Sequence, residues 1–81
     1  MMDFDRELDT RGLLCPIPVL KTKAAIDTMQ PGQVLKVVST DAGSVRDMQA
    51  FARQTANPLL HAFVDGKDFV FFLCKRDTGA R

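Results

Sequence analysis

The fold turns on residues 8–26, LDTRGLLCPIPVLKTKAAI, where a strand gives way to a helix across a cysteine and two prolines. A proline inside a helix costs roughly 3 kcal/mol. In a first turn it is well placed, because those N–H groups have no intrahelical partner. A residue that precedes proline is pushed toward extended geometry. Pro16 therefore sets Cys15 as an N-cap, with Pro16 and Pro18 at the first and third helical positions. Pro18 acts on Ile17 in the same way, which leaves a second reading in which the helix begins at Pro18. With Cys15 as N-cap, the N–H groups of Ile17 and Val19 are the nearest donors to the sulfur; in either reading the thiol stands beside a helix N-terminus.

Outward from this stretch, the elements follow in a simple order. RELDT, residues 6–10, alternates as a short strand and enters a turn at Arg11-Gly12. The first helix is expected over residues 18–29, ending at QPG. At about 100° per residue, Val19, Thr22, Ala25, Ile26 and Met29 share one stripe, the expected core face. QVLKVVST is a β-branched strand. DAGSVRDM opens a second helix, with Ser44 as N-cap and Asp47 three residues later, a weaker relative of the capping box. Val45, Met48, Phe51, Ala52 and Thr55 form its apolar side, and Asn57-Pro58 ends it. LLHAFV and DFVFFLCK flank a hairpin turn expected at Asp65-Gly66. The order βαβαββ implies an α+β fold, a two-layer α/β sandwich with two helices on one face of a four-stranded mixed sheet. One domain is expected over residues 1–81, with its core about 6–76 and a frayed polar tail at 77–81.

Composition narrows the function classes. With 46% hydrophobic and 26% charged residues, the 81-residue chain is of ordinary globular make-up. A formal net charge of +1 gives no strong pull toward nucleic acid or membrane. There is no Trp or Tyr, and the six Phe are not interleaved with a basic run, so base-stacking platforms are not expected. No segment approaches the length of a membrane span, and MMDFDREL does not read as a signal peptide. A cytoplasmic protein is expected, with Cys15 and Cys74 free thiols. Two distant Cys and one His do not make a zinc site, and no metal or cofactor is implied.

Cys15 carries the candidate chemistry. The positive end of a helix dipole stabilises an anion, so the thiol is expected to have a lowered pKa and an enlarged thiolate population. Arg11 would add to this, and Gly12 would keep the approach open. Pro18 stands where the second thiol of a Cys-X-X-Cys motif would be, which excludes disulfide exchange within the motif. A Cys–His hydrolase needs a histidine base, whereas the one histidine, His61, lies in mid-strand. A presented thiol with no base, resolving partner or pocket suits carrying a group. Three classes then stand: a group carrier, a non-catalytic redox or regulatory module using the same thiol, and a nucleic-acid-binding sandwich, against which the charge argues.

The stretch just described, followed by QPGQVLKVVSTDAGSVRDMQAF, resembles the TusA/SirA family of small sulfur-carrier proteins over residues 8–75. The most specific match is Gly-Leu-X-Cys-Pro-X-Pro, met by Gly12, Leu13, Cys15, Pro16 and Pro18, with Ile17 between the prolines. Asp9, Gly32, Asp41 and Asp47 also match, while Asn57-Pro58 departs from the family's pattern. The resemblance implies a βαβαββ sandwich and a persulfide carried on Cys15. It further implies a sulfurtransferase whose donor is a cysteine desulfurase or another persulfide protein. The acceptor is implied to be a downstream relay protein, most familiarly leading toward 2-thiouridine in tRNA. Molybdenum cofactor synthesis and sulfur oxidation are alternative destinations.

Other residues receive plainer readings. Cys74 is expected to fill the strand core and His61 to be a strand residue without chemistry. Asp41 and Asp47 suit the start of the second helix, and Asp41 is also a candidate neighbour of the cysteine. Leu20 and Lys23, off the core stripe of the first helix, are expected to dock the sulfur donor together with Asp41. In the last strand, Phe69, Phe71 and Leu73 share one face, and Val70, Phe72 and Cys74 share the other. That second face, uncovered by helices, would be apolar enough to favour a weak homodimer.

Overall fold

The computed structural model describes residues 3–77; most of the expected frayed tail lies outside them. The elements are β1 (Arg6–Thr10), α1 (Ile17–Ile26), β2 (Val34–Ser39), α2 (Gly43–Thr55), β3 (Leu59–Asp65) and β4 (Asp68–Cys74). The sheet order is β1-β2-β4-β3. β1 and β2 are parallel, as the α1 crossover requires. β4 runs antiparallel to both β2 and β3, completing the expected mixed sheet.

Register decides which residues face the helices. Leu8 opposes Val37 in one ladder, and Val37 opposes Phe71 in the next. Side chains alternate across a strand, so Leu8, Leu35, Val37, Phe71 and Leu73 lie on one face. There they meet Ala25, Ile26 and Met29 of the α1 region and Met48 and Phe51 of α2 in a single apolar cluster. Val19, Val45 and Ala52 pack at its margin. Buried hydroxyls are all engaged: Thr10 Oγ1 donates to the Val38 carbonyl at 2.7 Å and Thr22 Oγ1 to the Pro18 carbonyl at 2.8 Å. Such pairing keeps the desolvation cost of these groups low.

Both helices start differently from expectation. α1 begins at Ile17 with Pro16 as N-cap, so Cys15 lies one residue outside the cap, joined to Pro16 by a cis peptide bond. The bias that Pro18 exerts on Ile17 is outweighed by the burial of the Pro18 ring, which is less than 2% exposed. The helix ends at Ile26 rather than Met29, and the chain continues in tighter turns as Thr28 N–H bonds Ala25 O and Met29 N–H bonds Ile26 O, both at 3.1 Å. In α2 the N-cap is Ala42, and Ser44 is the second helical residue, with its hydroxyl donating to the Asp41 carbonyl at 2.6 Å. No capping box forms, because a serine already inside the helix has its side chain turned back to the preceding loop. Ala56, at φ 60°, closes α2 in the left-handed region before Asn57-Pro58.

The hairpin turn falls one residue later than expected. Asp65 pairs with Asp68, so the connecting residues are Gly66-Lys67, with Gly66 at φ 63°. The sheet face away from the helices is also less open than its alternation suggests. Val70 and Phe72 are only 4% and 5% exposed. Phe4, from the segment before β1, lies 6.2 Å from the Phe72 ring, and Phe63 stacks on it from β3 at 6.3 Å. His61 joins this group, 5.1 Å from Phe63. Lys36 Nζ sits 5.3 Å over the Phe4 ring. The chain therefore covers much of this face itself.

Candidate functional site

β1 and β2 are parallel, so their C-terminal ends lie at the same edge of the sheet, and the loops leaving them meet there. Open sheets with parallel strands place their binding crevices at this edge. Cys15 comes from the β1–α1 loop and Asp41 from the β2–α2 loop. The Cys15 backbone N–H donates to Asp41 Oδ2 at 2.8 Å, which joins the two loops. Asp41 Oδ1 accepts from the Gly43 N–H at 3.4 Å, so one carboxylate ties the cysteine to the start of α2. Gly43 permits this approach. A Cβ there would lie 3.3 Å from Asp41 Oδ2 and 3.6 Å from the Cys15 Cβ. The role of Gly43 was missed in the sequence, because a glycine in a first helical turn signals nothing until its neighbour is known.

The sulfur has a partner as well. Cys15 Sγ donates to Asp47 Oδ2 at 2.6 Å. Asp47, read from the sequence as a helix-start acid, is instead the neighbour of the thiol. The lowered thiol pKa expected from the helix terminus is thus corrected. The Asp47 hydrogen bond pushes the Cys15 pKa up, with loss of solvation and the charges of Asp47 and Asp41 adding in the same direction. An acceptor carboxylate stabilises the protonated thiol and repels the thiolate. The expected Ile17 donor is also lost to the sulfur, because Ile17 N–H bonds the Leu14 carbonyl at 2.8 Å.

Arg11 does not serve the thiolate as expected. Its guanidinium bonds Asp68 at 3.1 Å and Asp9 at 3.2 Å, pinning the end of β1 to the start of β4. Gly12 contributes backbone geometry rather than open space: it sits at φ 80°, and its N–H donates to Thr40 Oγ1 at 2.9 Å. Leu13 is half-buried, while Cys15, Pro16 and Ile17 are exposed. The motif thus divides into a buried anchor, Pro18, and a presented segment around the sulfur.

Two grooves meet at Cys15 and Asp47. One, of about 510 Å³, runs along the first turns of α2 and is lined by Gly43, Arg46 and Gln49. The other, of about 310 Å³, lies between the helices and is lined by Pro16, Val19, Leu20, Lys23 and Phe51. The expectation of a thiol without a pocket is corrected, and the expected neighbour Asp41 is joined at the cysteine by Asp47. Leu20 is 56% exposed at the groove rim, and Lys23 is bridged to Asp27 at 2.7 Å. His61 lies on the opposite sheet face. Cys74, half-buried and free, pairs with Val34 at the far end of the sheet from Cys15. Among the described residues no three His, Cys, Asp or Glu side chains gather as a metal site, and no helix is long and apolar enough to cross a membrane.

Fold and site together define a small two-layer sandwich that presents one thiol at the mouth of shallow grooves, the build of a carrier. The chain belongs to the TusA sulfurtransferase family, whose profile, "Sulfurtransferase TusA", matches residues 6–75. It is 49% identical over 75 residues to the sulfur carrier protein TusA of Allochromatium vinosum, covering 93% of this chain and 99% of that one. In solved structures it resembles a SirA-like protein from Desulfitobacterium hafniense, with a TM-score of 0.77, 21% identity, and coverage of 90% of this chain and 100% of the other. That likeness bears out the βαβαββ fold.

Proposed function

We propose that Cys15 accepts sulfane sulfur as a persulfide from a donor protein and passes it to an acceptor protein in a relay. The observation that carries this reading is the placement of Cys15, exposed where two grooves meet, with no second thiol or histidine at hand for other cysteine chemistry. In loading, Cys15 Sγ attacks the outer sulfur of the donor persulfide, and the donor's inner sulfur leaves as a thiolate. In unloading, an acceptor thiolate attacks the outer sulfur now on Cys15, and Cys15 leaves. A cysteine desulfurase is the proposed donor and a relay leading to tRNA 2-thiouridine the proposed destination, both carried by family membership. The groove rim at Leu20 and Lys23 receives the donor, and Asp41 holds the loop that presents the sulfur. We place the protein in the reducing cytoplasm, where free thiols persist.

The test is intact-protein mass spectrometry after incubation with a cysteine desulfurase and L-cysteine, using Cys15→Ser and Cys74→Ser as controls. One added sulfur, removed by thiol reductant and lost only in Cys15→Ser, is the expected result. Absence of added sulfur with an active desulfurase would favour the regulatory binding module instead.

A further inference from the structure

We propose that Asp47 is the proton acceptor of sulfur loading: its carboxylate takes the Cys15 proton as Sγ attacks the donor persulfide and delivers it to the departing thiolate. This rests on the reading of Cys15 as the persulfide-bearing residue. Three observations carry it. Asp47 Oδ2 already accepts the Sγ hydrogen bond at 2.6 Å, the distance a proton transfer needs. The Asp47 carboxylate makes no other hydrogen bond or ion pair among the described residues, so it is neither a helix cap nor part of a salt bridge. Finally, both grooves that reach Cys15 are lined by Asp47, so a donor entering by either finds the carboxylate at the sulfur.

The other charged groups around the thiol are differently placed. Asp41 is occupied by the N–H groups of Cys15 and Gly43. Lys23, across the groove on α1, is paired with Asp27. Arg46, lining the groove beside Asp47, is a cation and accepts no proton.

The step balances within itself. A bond forms between Cys15 Sγ and the outer sulfur of the donor, written R–S–SH. The bond between the donor's two sulfurs breaks, with its electron pair remaining on the inner sulfur. The Cys15 proton reaches that inner sulfur through Asp47 Oδ2. The products are Cys15–S–SH and R–SH. Cys15 is oxidised to the persulfide, the donor is reduced to the thiol, and Asp47 ends as the carboxylate it began as.

The experiment compares wild type with Asp47→Asn and Asp47→Glu. A low-molecular-weight alkyl persulfide serves as donor and iodoacetamide as a probe of free thiolate, across neutral and mildly alkaline pH. Removing the carboxylate charge should speed alkylation several-fold at neutral pH, while sulfur loading slows about ten-fold or more. Loading by Asp47→Asn should then follow thiolate concentration alone, and Asp47→Glu should recover part of the rate. A purely structural role would move alkylation and loading in the same direction. If Asp47→Asn loads faster than wild type at neutral pH, as its thiol alkylates faster, Asp47 only guards the thiol and the proposal is overturned. A wild-type protein that takes no sulfur would instead remove the carrier reading, and the role of Asp47 with it.

Discussion

Cys15 and Asp47, 32 residues apart in the chain, meet in a hydrogen bond from Sγ to Oδ2 at 2.6 Å that pushes the pKa of the thiol up. The helix terminus beside it favours an anion in principle. A full carboxylate charge in contact outweighs the roughly half-charge of a helix dipole, particularly when the nearest helix N–H is already bonded to Leu14.

This contact makes a prediction about alkaline pH. The folded-state pKa of Cys15 is raised, so its stabilising contribution is complete below the ordinary thiol pKa. It is lost as pH climbs from that value through the raised one. Thermal unfolding of wild type should show a small alkaline decline over this window that Cys15→Ser lacks. Identical profiles for the two would mean that the hydrogen bond does not persist in solution.

Phe71 sits 1% exposed at the centre of the sheet, opposite Val37 and among the helix side chains. Phe71→Ala should cost about 3–5 kcal/mol. Against the 5–15 kcal/mol typical of a whole domain, this removes a large share of the stability. Urea titration followed by far-UV circular dichroism gives the value.

The cover that Phe4 lays over Phe72 should matter to association more than to stability. Phe4→Ser removes a ring that is itself 42% exposed, so the stability loss should be about 1 kcal/mol. The uncovered Phe72 should increase self-association, read by sedimentation velocity against wild type. An unchanged sedimentation profile would show that the remaining neighbours suffice to shield the face.

Lys23→Glu reverses the charge at the groove rim and replaces an exposed attraction to Asp27 with a repulsion. The cost in stability should be below about 1 kcal/mol. Sulfur loading from a protein donor should slow severalfold, while loading from a small persulfide should not. Equal effects on both donors would place Lys23 in the chemistry rather than in docking.

Much of the architecture was legible because it depends on local chemistry. The β-branched run before Ser39, the stripe of Thr22, Ala25 and Ile26, and the glycine of the hairpin turn each specify an element through side-chain periodicity or backbone preference, although the turn itself falls one residue later than Asp65-Gly66. The errors fell where two local preferences competed. Pro18 resists helical geometry at Ile17, yet burying its ring in the core decides the matter. Ser44 is a good cap by propensity, but the Asp41 carbonyl claims its hydroxyl from inside the helix.

Cys15 as the presented thiol, the prolines that shape its loop and the order of helices and strands along the chain follow from the sequence alone. Each is set by residues that are neighbours in the chain. The raised pKa of that thiol, the Asp41 clamp on its backbone, the close approach of Gly43 and the diversion of Arg11 to Asp68 were decided only by the tertiary structure. The physical reason is common to all four. Electrostatic and hydrogen-bond effects act over a few ångströms of space, and the parallel pairing of β1 with β2 brings two distant loops within that range.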